Sequence, residues 1–88
     1  MYIRDIVISN QVGLHAGPAS LFTQKANEFK STILLERGNR SVNAKSLLGV
    51  LSMGIMKDMQ ISIIGDGEDE VEAVDTLCSL VESGFVRE

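Results

Sequence analysis

The sequence predicts an α+β fold: an open-faced β-sandwich with a four-stranded antiparallel sheet and three helices on one face. The 88 residues make one domain, residues 1–88, because there is no room for a second. A hydrophobic content of 44% with scattered charges is typical of a globular chain. Segments with strand and helix periodicity alternate as β-α-β-β-α-β-α, and so few strands are most simply joined in one antiparallel sheet.

The first strand and the first helix are predicted from side-chain type and spacing. Residues 2–8 are rich in β-branched side chains, which favour a strand, and residues 9–13 form a loop. From Ala16 to about Phe29, apolar side chains recur at steps of three and four residues, as they do in an amphipathic helix. Its predicted inward face consists of Ala19, Phe22, Ala26 and Phe29.

A hairpin, a fourth strand and a last helix complete the predicted order. The hairpin pairs residues 32–36 with residues 41–43 around a Gly-Asn turn, and residues 60–64 form the fourth strand, with Ile61 and Ile63 facing inward. Residues 65–67 read as a turn. The last helix is predicted from about residue 69 to 81. Its inward face consists of Val71, Val74, Leu77, Cys78 and Val81. Its first turn carries Asp69, Glu70 and Glu72, which complement the helix dipole.

A short helix is predicted between the hairpin and the fourth strand. Ser46 is a good N-cap because its hydroxyl can accept a backbone N–H of the first turn, and Gly54 is a suitable end. The segment is too short to hide all its apolar side chains on one face. They either form an exposed patch that marks a partner site or plug the core. The residues concerned are Leu47, Leu48 and Leu51.

Charge and composition argue against nucleic-acid binding, membrane insertion and metal binding. The net charge is −4, but residues 1–64 carry seven basic and four acidic residues, whereas residues 65–88 carry one and eight. A chain without a strong basic stripe is a poor candidate for direct nucleic-acid binding. No segment is long and apolar enough to insert in a membrane, and no signal peptide precedes the first strand, which predicts a cytoplasmic protein. Cys78 is predicted to be a buried hydrophobe, and one His and one Cys far apart predict no metal site and no cofactor.

His15 is the candidate functional residue. It is the only histidine and lies in Gly13-Leu14-His15-Ala16-Gly17-Pro18-Ala19. Proline is tolerated in the first turn of a helix, so this pattern places the imidazole at a helix N-terminus beside free backbone N–H groups. Such a terminus attracts anions, which suggests a histidine that carries a phosphoryl group. The alternative is a polar loop residue or a helix cap.

Two segments together resemble the HPr family of histidine-containing phosphocarriers. Residues 13–19 are similar to the family's active-site motif, and residues 42–54 are similar to its regulatory serine segment. Asp69-Glu70 and Ala73 also match the family's last helix. The resemblance covers the whole chain in length, element order and spacing.

The resemblance implies a carrier in the phosphoenolpyruvate-dependent sugar phosphotransferase system, not a turnover enzyme. Enzyme I would phosphorylate His15, the backbone N–H groups of Ala16 and Gly17 would hold the phosphoryl oxygens, and sugar-specific IIA components would receive the group. Ser46 would be the regulatory site of HPr kinase/phosphorylase, and its phosphorylated form would act as corepressor for a catabolite control transcription factor. Partners would dock at Leu47, Leu48 and Leu51.

One residue departs from the family motif. The motif has an arginine where this chain has Gly17, and arginine offers a planar fork of donors that matches phosphate oxygens. Three hypotheses follow: a carrier in which another cation, such as Lys45 or Lys57, compensates; a regulatory paralogue that acts through phosphorylated Ser46; and a binding module that is phosphorylated at neither residue. The retained histidine favours the first.

Overall fold

The four strands form one antiparallel sheet. In the computed structural model, which describes residues 1–85, the strand order is β1-β4-β2-β3. Strands β1 (Tyr2–Val7) and β2 (Thr32–Arg37) flank β4 (Gln60–Asp66), and β3 (Arg40–Asn43) lies outside β2. The edges of the sheet are therefore β1 and β3.

Three helices cover one face of this sheet. Helix α3 (Glu70–Glu82) packs on β1, β4 and β2, while α1 (Ala16–Ala26) packs on α3 and on α2 (Leu47–Ser52). The other face of β1 is left to solvent, where Ile3 and Val7 are exposed. The predicted α+β open-faced sandwich is therefore confirmed. Antiparallel sheets commonly bury one face and expose the other to solvent.

The hydrophobic core lies between the sheet and the helices. Strand β4 turns Ile61 and Ile63 inward, and α1 buries Phe22 completely, as predicted. Cys78 is buried in the same core, and burial raises the pKa of its thiol to about 11, so the group stays protonated at neutral pH. No helix within residues 1–85 is long and apolar enough to cross a membrane.

Gly65 corrects the predicted turn at residues 65–67. It lies inside β4, where it pairs with Tyr2 on one side and Ile33 on the other. A Cβ atom at Gly65 would lie 2.8 Å from Val74 Cγ2 and 3.0 Å from the Glu70 carbonyl oxygen. The glycine therefore allows α3 to approach the sheet closely, and the strand continues to Asp66.

Two apolar residues were misplaced by helical periodicity. Val71 was predicted to face inward but is 51% exposed, whereas Ala73 is fully buried. At about 100° per residue, Val71 falls just outside the arc spanned by the buried residues and Ala73 falls within it. Phe29 is only partly buried because α1 ends at Ala26, three residues earlier than predicted.

Asn27 links the end of α1 to the segment that enters α2. Its side-chain amide donates to the carbonyls of Thr23, at 2.8 Å, and Lys45, at 3.0 Å. The Thr23 carbonyl also accepts the Asn27 backbone N–H, at 3.0 Å. The remaining differences in element bounds are one or two residues: β1 ends at Val7, the hairpin strands extend to Arg37 and Arg40, and α3 runs from Glu70 to Glu82.

Asp69 connects α3 to the chain that leaves α1. Its carboxylate accepts the backbone N–H groups of Lys30, at 3.0 Å, and Ser31, at 2.9 Å, and the Ser31 hydroxyl. The Ser31 hydroxyl and these N–H groups lower the pKa of Asp69 to about 2. Only Glu70 and Glu72 lie in the first turn of α3, because Asp69 takes the N-cap position and reaches back to the other segment.

Candidate functional site

His15 occupies the N-cap position of α1. Its backbone is extended, with φ −132° and ψ 161°, and its side chain makes no capping hydrogen bond. The residue is half-buried, and its neighbours Ala16 and Gly17 are exposed. The predicted location at a helix N-terminus is confirmed, and the imidazole is not used as a cap.

The two residues before His15 are held firmly. The Leu14 side chain is fully buried, and its N–H donates to the Ile55 carbonyl at 3.0 Å. Gly13 has φ +67°, and a Cβ atom there would lie 2.3 Å from the Ile55 carbonyl oxygen. Only glycine fits this backbone conformation and this space. Its lack of a side chain lets the chain lie directly against Ile55, which fixes the position of His15.

The helix begins with an unusual turn. Ala16 has φ 49°, in the left-handed region, which costs a non-glycine residue about 1–2 kcal/mol. The first hydrogen bond of the helix runs from the Ala19 N–H to the His15 carbonyl at 3.4 Å. Ala16 and Gly17 precede it in the first turn, where backbone N–H groups have no partner within the helix, and Pro18 has no N–H at all.

Gly17 is surrounded by open space. A Cβ atom built there meets no atom within 4 Å, and the backbone is not in the left-handed region. A larger side chain would therefore be tolerated sterically. The absence of arginine at this position is a chemical difference and not a consequence of crowding.

Ser46 is the N-cap of α2, as predicted. Its hydroxyl oxygen accepts the Gly49 N–H at 3.0 Å, and the Val50 N–H donates to its carbonyl at 2.9 Å. Gly49 fits closely, because a Cβ atom there would lie 3.2 Å from the Ser46 hydroxyl oxygen. Ser46 is half-buried as a residue, so it caps the helix without being enclosed in the core.

The three leucines of α2 could either form an exposed patch or plug the core, and the structure shows some of each. Leu48 is 81% exposed and Leu47 is 41% exposed, so both belong to the surface. Leu51 is partly buried and packs against the core, which Val50 fills from the same helix. The apolar surface next to Ser46 is therefore formed chiefly by Leu47 and Leu48, and Leu51 contributes less.

His15 and Ser46 lie towards opposite ends of α1. His15 precedes the helix, whereas the segment that leads into Ser46 is hydrogen-bonded to Asn27 after its last residue. With 11 residues at 1.5 Å each, the helix spans roughly 16 Å. The structure thus places the two candidate residues on one layer but does not bring them into one site.

The positions of Lys45 and Lys57 decide which of them could compensate for the arginine that Gly17 replaces. Lys45 donates from Nζ to the Phe29 carbonyl at 2.7 Å, beyond the far end of α1, so it is wrongly placed to assist His15. Lys57 is exposed and lies two residues after Ile55, whose carbonyl holds Leu14. Of the two, only Lys57 belongs to a segment that contacts the His15 loop.

The comparison with known families decides the relationship. A family model described as "PTS HPr component phosphorylation site" matches residues 3–83. The chain belongs to the HPr family. The resemblance predicted from residues 13–19 and 42–54 is confirmed.

The relatives within the HPr family include proteins described as HPr and proteins described as Crh. The HPr-like protein Crh of Bacillus subtilis is 38% identical over 82 residues, covering 93% of this chain and 96% of its own length. The crystal structure of HPr-C-His from Thermoanaerobacter tengcongensis has a TM-score of 0.96 at 43% identity, covering 100% of this chain and 99% of that one. A crystal structure of Bacillus subtilis Crh, described as a swapped dimer, has a TM-score of 0.77 at 36% identity and covers 99% and 100% of the two chains.

Two residues that support the site were missed by the sequence analysis. Asn10 is hydrogen-bonded to Gly13, and Ile55 holds Leu14. An asparagine three residues before a glycine is typical of a type I turn, so the turn at residues 10–13 could have been predicted, although its side-chain hydrogen bond could not. The contact of Ile55 with Leu14 joins residues 41 positions apart, and no local pattern indicates it.

Proposed function

We propose that this HPr-family chain is a cytoplasmic phosphocarrier of the sugar phosphotransferase system. It accepts a phosphoryl group from Enzyme I on His15 and passes it to sugar-specific IIA components. The observation that carries the proposal is the position of His15, a half-buried residue at the N-cap of α1 whose side chain makes no capping hydrogen bond. A capping role, the alternative for this histidine, has no support in that geometry.

The transfer needs little from the protein beyond a positioned nitrogen. A neutral imidazole ring has one nitrogen with a free electron pair. That pair forms the new nitrogen–phosphorus bond, and the donor's bond to phosphorus breaks with its electrons staying on the donor. The reverse sequence delivers the group to the next protein, and the carrier is regenerated without net change.

The start of α1 supports the phosphorylated state. The N–H groups of Ala16 and Gly17 lie in the first turn, and both residues are exposed. They are the proposed donors to the phosphoryl oxygens. The positive end of the helix dipole adds roughly 0.3–1 kcal/mol for a negative group. Without an arginine at Gly17, these backbone groups carry more of the stabilisation than they would beside a guanidinium.

Regulation through Ser46 is a second candidate function, favoured by the capping geometry and by the relatives described as Crh. HPr kinase/phosphorylase would phosphorylate the Ser46 hydroxyl, adding roughly −1.5 to −2 charges at a helix N-terminus. The charge would appear beside the exposed Leu47 and Leu48, where a protein partner would sense it. A catabolite control transcription factor is the proposed partner of that form.

Two assays separate these functions. Incubation with phosphoenolpyruvate and Enzyme I is expected to give an acid-labile, base-stable phosphate that is absent from His15→Ala. Incubation with HPr kinase/phosphorylase and ATP is expected to give an acid-stable phosphate that is absent from Ser46→Ala. Phosphate only in the second assay would support a regulatory paralogue, and none in either would leave a binding module.

A further inference from the structure

Asn10 closes the loop that presents His15. Its side-chain Nδ2 donates to the Gly13 carbonyl at 2.9 Å, and the Gly13 N–H donates to the Asn10 carbonyl at 3.3 Å. Both backbone groups of Gly13 are therefore bonded to one residue. Since the Leu14 N–H is bonded to Ile55, the chain is held at three successive points before His15.

The orientation of the Asn10 amide follows from chemistry. A carbonyl oxygen accepts hydrogen bonds and cannot donate, so only the NH₂ group can face the Gly13 carbonyl. The opposite orientation would place two oxygens against each other. The other end of the amide, Oδ1, is buried and has no hydrogen-bond partner among residues 1–85.

The amide acts on the backbone of the loop. An apolar side chain of the same size would remove the buried Oδ1 acceptor, but it would leave the Gly13 carbonyl without its side-chain donor. The tip of the same loop, Gln11 and Val12, is exposed and offers the turn no support from the core. The amide is thus the loop's own means of holding Gly13 against Ile55.

We propose that Asn10 is a positioning residue for His15, an inference that rests on the proposed phosphoryl transfer. By fixing the Gly13 carbonyl, the amide sets the direction in which Leu14 and His15 leave the loop. The ring must meet an incoming phosphorus atom in line with its free electron pair, and small misplacements of reacting groups lower rates strongly. Asn10 acts through the backbone and does not touch the phosphoryl group.

The test compares Asn10→Leu with a matched variant, Asn27→Leu. Asn27 also uses its side-chain amide to bond backbone carbonyls, but at the far end of α1. Asn10→Leu is expected to slow phosphohistidine formation from phosphorylated Enzyme I by roughly tenfold, with KM unchanged because the surface of α2 is intact. It should also speed amide hydrogen exchange at Leu14. Asn27→Leu should lower the Tm but leave both the rate and the Leu14 exchange unchanged.

Each outcome has a defined meaning. If wild type forms no phosphohistidine, the proposed function and this role both fail. If wild type is phosphorylated and Asn10→Leu reacts equally fast, the positioning role alone is overturned. Equal slowing in both variants would assign the effect to stability and would also overturn it. Should Asn10→Leu not fold, Asn10→Ser, whose side chain is too short to reach the Gly13 carbonyl, is expected to give the same loss.

Discussion

Gly17 leaves an empty position beside the proposed acceptor His15. An arginine there could form a bidentate contact with a phosphoryl group, whereas glycine contributes only its N–H. A charged hydrogen bond contributes about 1.5–3 kcal/mol. If phosphoryl transfer occurs in this chain, its rate therefore depends on what else stabilises the incoming charge.

Restoring the arginine is expected to accelerate phosphorylation. Gly17→Arg should increase the rate of phosphohistidine formation by about ten- to a hundredfold, because the guanidinium stabilises the transferred group. The fold should tolerate the change, since no atom lies within 4 Å of the added Cβ. Gly17→Gln is the matched control, similar in length but uncharged, and should give little gain. Equal rates for Gly17→Arg and wild type would show that this position does not limit transfer.

Lys57 is the cation whose role at the site can be tested in the native chain. Lys57→Gln should slow phosphohistidine formation by about two- to fivefold, the range for an exposed charge interaction, and the loss should shrink at high salt. Lys30→Gln removes the same charge from a residue paired with Glu68 and tied to Asp69, away from His15. If the two variants lose rate equally, the effect reflects net charge and not the position of Lys57.

Local sequence patterns located His15 and Ser46 because capping is a local property. An N-cap and the first turn it precedes are neighbours in sequence, so residue type and spacing carry the information. Lys45 was misjudged because its contact with Phe29 joins two segments that only the packing of α1 and α2 brings together. The same is true of Ile55, which supports His15 from another loop.

At the scale of elements, α2 depends on its cap more than a long helix would. It has six residues, too few for helix propensity to sustain it. Ser46→Ala should lower the free energy of unfolding by about 1 kcal/mol, the usual cost of losing an N-cap. Ser52→Ala, which removes a hydroxyl donating to the Gly49 carbonyl at an exposed position, should change it by less than about 0.5 kcal/mol. Urea denaturation of both variants measures the difference, and equal losses would contradict the capping role.

The connection from α1 to β2 should respond to acid through Asp69. Its pKa is lowered to about 2 in the folded protein from an ordinary value of 3.8. Folding therefore gains stability from the ionised carboxylate above about pH 4 and loses that gain as the pH falls through 2. Asp69→Asn should lower the Tm at pH 7 and reduce the difference in Tm between pH 4 and pH 2. Asp66→Asn, whose carboxylate accepts no hydrogen bond within residues 1–85, is the control and should change this difference less.

The element order was predictable because the longer helices have a clear apolar period, while turn and capping residues indicate the hairpin and α2. Boundaries and some faces were not, because they depend on tertiary contacts. Gly65 suggests a turn when read locally, yet it lies in β4 because α3 needs the space that a side chain would occupy. Val71 was wrongly predicted to face inward, because apolar spacing alone does not fix the exact rotation of α3 on the sheet.

At the scale of the whole molecule, the two candidate residues lie towards opposite ends of one helix. This arrangement would allow a single small domain to hold two phosphorylation sites, one towards each end of a helix that spans roughly 16 Å. The apolar surface of Leu47 and Leu48 belongs to the Ser46 end of this layer. A partner that covers both ends of α1 would respond to charge at either site. One domain could then combine the proposed phosphoryl transfer through His15 with the proposed regulation through Ser46.

The proposed transfer and the positioning role of Asn10 both require that His15 accepts a phosphoryl group. The simplest experiment is to incubate the intact protein with phosphoenolpyruvate and Enzyme I, followed by mass spectrometry and acid and base treatment. One added phosphate is expected, which is lost in acid, survives base and maps to His15. Protein that gains no phosphate under conditions in which a known HPr is fully phosphorylated, or that carries it on another residue, would show that His15 is not the acceptor.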